Sequence, residues 1–127
     1  MKKLIWKLPA FAVAALIWIF SSQSVLPRPP GIPGFDKVMH FAAYAVLAAA
    51  LSPWFPRRKQ GRLEAFLLTA CIASVYGVID EIHQYFVPGR DCSLLDWIAD
   101  ALGAAAGAGA ALAAGRLMNK SDEKREM

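Results

Sequence analysis

Charge is scarce through most of this chain. Only 19% of its 127 residues are charged and 57% are apolar, where soluble chains average roughly 45–50% apolar and about 25% charged. The charges that exist crowd at the ends and turns, which excludes an ordinary soluble helical bundle and leaves a membrane composition. The formal charge of +4 does not imply nucleic acid, because the basic residues are spread over loops and termini instead of forming one patch. Cysteine is nearly absent. Cys71 lies inside an apolar run and Cys92 in a polar loop, too far apart to bridge if Cys71 sits two turns inside a helix. No C-x-x-C or zinc-finger spacing occurs. The two histidines, His40 and His83, form neither H-x-x-x-H nor H-E-x-x-H. A Ser-His-Asp order and a glycine-rich phosphate loop are also missing.

What is present is four apolar runs, which fit one domain over 1–127. The first, about 4–20, begins with Lys2, Lys3 and Lys7 and carries Trp6, Trp18 and Phe20 near its ends, as interfacial aromatics do. No A-x-A site follows it, so an uncleaved helix is expected over a signal peptide. Pro9 falls in its first turns, where a missing N–H does little harm. A loop rich in proline follows, with Pro27, Pro29, Pro30 and Pro33. The second run, about 36–55, opens with Asp36, which favours the helix N-terminus, and places Asp36, His40 and Tyr44 on one face. Arg57–Arg58–Lys59–Gln60–Gly61–Arg62 is a tight basic turn. The third run covers about 63–84. Ser93–Leu94–Leu95–Asp96 has the spacing of a capping box and opens the fourth, about 94–117. There Gly103, Gly107, Ala111 and Gly115 recur every four residues, a row that admits a neighbouring helix closely, whether within the chain or in self-association. Residues 118–127 read as a frayed polar tail.

Each run is close to the roughly 20 residues that span a bilayer. With four spans, Lys2, Lys3, Lys7, Arg57, Arg58, Lys59, Arg62, Arg116, Lys120, Lys124 and Arg125 share one side, against Arg28, Lys37 and Arg90 on the other. The positive-inside rule then puts both termini in the cytoplasm. The expected fold is an all-α integral membrane four-helix bundle.

That topology brings the polar residues to one depth at the outer half: Asp36, Lys37 and His40; Asp80, Glu81, His83 and Gln84; Arg90; and Ser93, Asp96 and Asp100. Ionisable groups there are costly and mark function. Asp80, His83 and Gln84 share a face at i, i+3 and i+4. Glu81 is turned about 100° away from Asp80 and need not join them. Three chemistries remain open. The acids and bases pair and staple the helices. Alternatively, Lys37, Arg90 and the helix ends bind the anionic part of a membrane lipid or cell-wall precursor, since arginine grips phosphate bidentately. In the third, His40, Asp80, Glu81 and His83 hold a divalent metal or run acid–base catalysis. Binding is the leading reading, and whether the protein is an enzyme stays open.

Asp36–Lys37–x–x–His40–Phe41–x–x–Tyr44, Tyr76–Gly77–x–x–Asp80–Glu81–x–His83–Gln84–x–Phe86–x–Pro88–Gly89–Arg90 and Ser93–x–x–Asp96 together resemble the VanZ-like family of small membrane proteins. The resemblance covers about 36–107. It implies a multi-pass protein of the bacterial cytoplasmic membrane, in a family whose namesake is associated with lowered susceptibility to the glycopeptide teicoplanin. It implies no accepted reaction. One position departs from the pattern: Asp100 stands where the family often has asparagine, adding a charge or a proton to be held.

Overall fold

A computed structural model describes residues 2–24, 31–55 and 61–127. The prolines at 27, 29 and 30 and the basic residues at 57–59 lie outside the described residues. Those described are helical apart from short connections, with no strand among them: α1 (Lys2–Ile5), α2 (Leu8–Ser21), α3 (Phe35–Leu51), α4 (Arg62–Tyr85) and α5 (Leu94–Glu126). Three helices are long and apolar enough to cross a membrane, Phe35–Trp54, Arg62–Tyr85 and Leu94–Arg125.

The first run does not form the single helix expected of it. It breaks at Trp6–Lys7, leaving α2 with 14 residues, about 21 Å long against a hydrocarbon core of roughly 30 Å. The cause is Pro9 at the start of α2. Its ring clashes with the carbonyl four residues back, that of Ile5, and it has no N–H to offer there. Lys7 N–H turns back to the Leu4 carbonyl instead. Pro53 acts in the same way at the end of α3, which stops at Leu51 and continues as a 3-10 turn over Ser52–Trp54. At the other end of the chain, α5 runs on to Glu126 where a frayed tail was expected. No glycine or proline follows Gly115, the residues after it are mostly good helix formers, and Lys124 and Arg125 in the last turn complement the helix dipole.

The core is small and made of small residues. Ala48, Ala73, Ala104 and Ala108 are buried with Tyr44 and Leu47. The α3–α5 pair is the most extensive packing contact, followed by α4 on α5. Gly103 and Gly107 explain why: a Cβ at Gly103 would overlap the Phe41 carbonyl, and one at Gly107 the Ala45 carbonyl. The two backbones therefore approach as only glycine permits. The larger apolar side chains point outward, among them Phe11, Leu16, Val46, Leu67, Ile72, Val75, Ile79 and Leu102. Cys71 also faces outward instead of into the core, and both cysteines are free.

Candidate functional site: a carboxylate-rich cluster at four helix ends

The C-termini of α2 and α4 meet the N-termini of α3 and α5. Ser21 Oγ donates to Asp80 Oδ2 at 2.8 Å, Lys37 reaches Asp96 at 3.0 Å, and His40 Nδ1 lies 2.8 Å from Asp100 Oδ1. Most of the residues singled out from the sequence line this junction. Asp80, Glu81, Gln84, Asp96 and Asp100 are buried, an arrangement that is costly unless each charge is paired, protonated or bound to a cation.

The successive acids Asp80 and Glu81 are divided between two neighbourhoods, as their angular separation requires. Asp80 turns toward α2. Its Oδ2 accepts from Ser21 Oγ and, at 3.0 Å, from Gln84 Nε2 one turn on. Glu81, which the helical pattern left unassigned, turns toward α3 and α5. Its Oε2 accepts the Ser93 backbone N–H at 2.8 Å, and its Oε1 lies 3.8 Å from His40 Nδ1.

The start of α5 shows how this comes about. Ser93 caps the helix, its Oγ accepting from Asp96 N–H at 3.4 Å. In a capping box the residue three along would return the favour to the Ser93 N–H. The aspartate is short for that role, and Glu81 from another helix takes it. Asp96 is thereby left to hold Lys37, which also contacts Asp36 at 3.1 Å.

Arg90 reaches the site from the loop. Val87–Pro88–Gly89–Arg90 closes with Arg90 N–H on the Val87 carbonyl at 3.1 Å, and Gly89 has φ +80, the features of a type II turn with proline and glycine in its central positions. The Arg90 Nε is buried without a hydrogen-bond partner, and no carboxylate among the described residues forms an ion pair with it. His83 sits apart. Its ring stacks on Trp18 with centroids 3.8 Å apart, and its Nε2 is 2.9 Å from Ser22 Oγ.

Two adjoining cavities open beside the junction, of about 230 and about 250 Å³. The first is walled mainly by apolar groups from Ile17, Phe20, Phe35, Met39 and Ala43. The second is walled by polar groups from Lys37, Gln84, Asp91, Ser93 and Asp96. Asp36, His40 and Arg90 border both. Chemically this is an apolar slot joined to a polar one, with the Arg90 guanidinium, unpaired among the described residues, at the join.

The sequence pattern assigns no role to Ser21, and Gly77 enters it only as a motif position. Ser21 falls just past the first apolar run, where the pattern predicts loop, yet it is the buried last residue of α2; only its depth, level with Asp80, signals it. At Gly77 a Cβ would come within 3.0 Å of Asp100 Oδ2 and 3.3 Å of the Tyr44 ring, so this glycine leaves the space in which that carboxylate lies.

A carboxylate-rich junction of helix ends, with three span-length apolar helices and no strand among the described residues, defines a small membrane-type protein with an internal polar site. Its lineage follows from the sequence as a whole: residues 3–115 match the VanZ/LLP1 family, and the chain belongs to that family. No curated protein and no solved structure matches it.

Proposed function

We propose that this is a VanZ-like protein of the bacterial envelope that binds an amphiphile with an anionic headgroup, an anionic lipid or a lipid-linked cell-wall precursor. In this reading the chain is a multi-pass protein of the cytoplasmic membrane, with α2 packed among the three longer helices and both termini inside. The charge distribution supports that orientation. The polar junction carries Lys37 and Arg90, while Lys7, Arg62, Arg116, Lys120, Lys124 and Arg125 belong to the opposite ends of the helices. The junction then faces the outer leaflet.

The observation that carries the binding reading is the state of Arg90. Lys37 is already held by Asp36 and Asp96. Arg90 has an unpartnered Nε and borders both the apolar and the polar cavity. A hydrocarbon chain fits the first cavity, a phosphate the second, and the guanidinium at their boundary supplies the charge-assisted contact.

Native mass spectrometry of the detergent-released protein tests this. Wild type should carry a lipid adduct that Arg90→Ala loses, and the mass of the adduct separates a phospholipid from a lipid-linked precursor. An adduct retained in full by Arg90→Ala would sink the reading. If the ligand is a cell-wall precursor, overproducing the protein should also shift teicoplanin susceptibility, and Arg90→Ala should not.

A further inference from the structure

The carboxylates are on the wrong side of the charge balance for a site that only holds anions. Asp36, Asp80, Glu81, Asp96 and Asp100 converge on the junction, where Lys37 and Arg90 are the fixed cations among the described residues. Three of these acids are buried with one oxygen unpartnered: Asp80, Glu81 and Asp100 are 1%, 4% and 0% exposed, and Asp80 Oδ1, Glu81 Oε1 and Asp100 Oδ2 have no hydrogen-bond partner. Asp80 turns to α2, which leaves Glu81 and Asp100 as neighbours.

Both face His40. One ligand atom from each of His40, Glu81 and Asp100 lies within 4.8 Å of the other two, with Nδ1 2.8 Å from Asp100 and 3.8 Å from Glu81. Metal–ligand bonds of about 2.0–2.2 Å place neighbouring donors roughly 3 to 3.5 Å apart, so small rotamer shifts suffice to close the three around one ion. We propose that His40, Glu81 and Asp100 form a site for a divalent first-row metal ion.

Other features of the structure favour this over a bare ion pair. The three ligands come from three helices, α3, α4 and α5, and the spacing of α3 and α5 is held by Gly103 and Gly107 against the α3 backbone. Glu81 is oriented by the Ser93 N–H on its other oxygen, the kind of outer contact that fixes a ligating carboxylate. One imidazole and two carboxylates suit Mn²⁺, Fe²⁺ or Zn²⁺ and leave coordination positions for water or a ligand oxygen. His40 borders both cavities, so those positions are reachable from them. The set differs from the one suggested by the helical pattern: Asp80 turns to α2, with Ser21 and Gln84 holding its Oδ2, and His83 meets Trp18 and Ser22. This inference does not rest on the lipid reading, because the metal alone is the probe.

The test is a Mn²⁺ titration of chelator-treated, detergent-solubilised protein. Electron paramagnetic resonance reads the loss of the free-ion signal, and metal analysis after gel filtration gives the stoichiometry. Wild type should take up a single ion with saturation. Asp100→Asn, which keeps the side-chain volume, and His40→Gln should each weaken binding by roughly tenfold or more, and His83→Ala should bind as wild type does. The spin-echo spectrum of the bound ion should show coupling to one imidazole nitrogen, a readout that needs no variant to fold. An unsaturable titration of wild type, a bound ion without nitrogen coupling, or equal binding by Asp100→Asn and His40→Gln would each overturn the assignment.

Discussion

The α3–α5 pair is two interfaces in succession. Toward one end, Lys37 and His40 of α3 meet Asp96 and Asp100 of α5 through charged side chains. One or two turns further along, Phe41 and Ala45 meet Gly103 and Gly107 through backbone alone. The second interface sets how close the helices come and tolerates nothing larger than glycine. The first uses that spacing to hold acids and a histidine within bonding distance, although their burial is itself unfavourable. In this pair the glycine row, already visible in the sequence, sets the spacing on which the polar site depends.

Breaking the packed interface should therefore have the largest effect. Gly107→Val puts side-chain atoms into the Ala45 backbone, which cannot yield as a flexible side chain would. The expected cost exceeds about 3 kcal/mol, read as a loss of folded protein or a large drop in melting temperature in detergent. The polar interface should be next. His40→Ala removes the partner of the fully buried Asp100, with an expected cost of about 3 kcal/mol by thermal unfolding. The double variant His40→Leu with Asp100→Leu sharpens the contrast. It should recover most of that stability, since replacing a buried pair by apolar residues is often neutral, while abolishing metal uptake. A double variant as unstable as His40→Ala would mean that the pair does hold the helices together.

Smaller effects should follow at the edge of the junction. Ser21→Ala deletes one donor to Asp80 and should cost about 1.5 kcal/mol, with metal binding unchanged because Asp80 belongs to the other neighbourhood. Lys37→Met should cost least, under about 1 kcal/mol, because the Lys37 side chain is more than a third exposed. A large loss at Lys37 would contradict the division between packed and polar interfaces.

Much of the junction was legible beforehand. The alternation of apolar runs places Asp36, His40, Asp80, Asp96 and Asp100 at one depth whatever the details of packing, because successive antiparallel helices return the chain to the same level at each connection. The facing of Glu81 was not legible. Helical geometry gives its angle relative to Asp80, but which neighbour stands at that angle depends on how α3 and α5 flank α4. His83 shares with Asp80 the face of α4 turned to the end of α2, but it meets Ser22 and Trp18 instead of Ser21. A shared helix face is broad enough for one residue to meet Ser21 and the other Trp18.

The sequence by itself determined the membrane-like composition, the family, the glycine row and the level at which polar groups gather. These depend on run length, hydropathy and local spacing, which are properties of the chain. Tertiary structure alone decided that Pro9 breaks the first run, that Glu81 replaces Asp96 as the partner of the Ser93 N–H, that Lys37 is committed while Arg90 Nε has no partner among the described residues, and that His40, Glu81 and Asp100 close on one point. Each of those outcomes turns on which of several near-equal partners comes within about 3 Å, the range over which a hydrogen bond forms, and only the packing of helices against one another sets distances that fine.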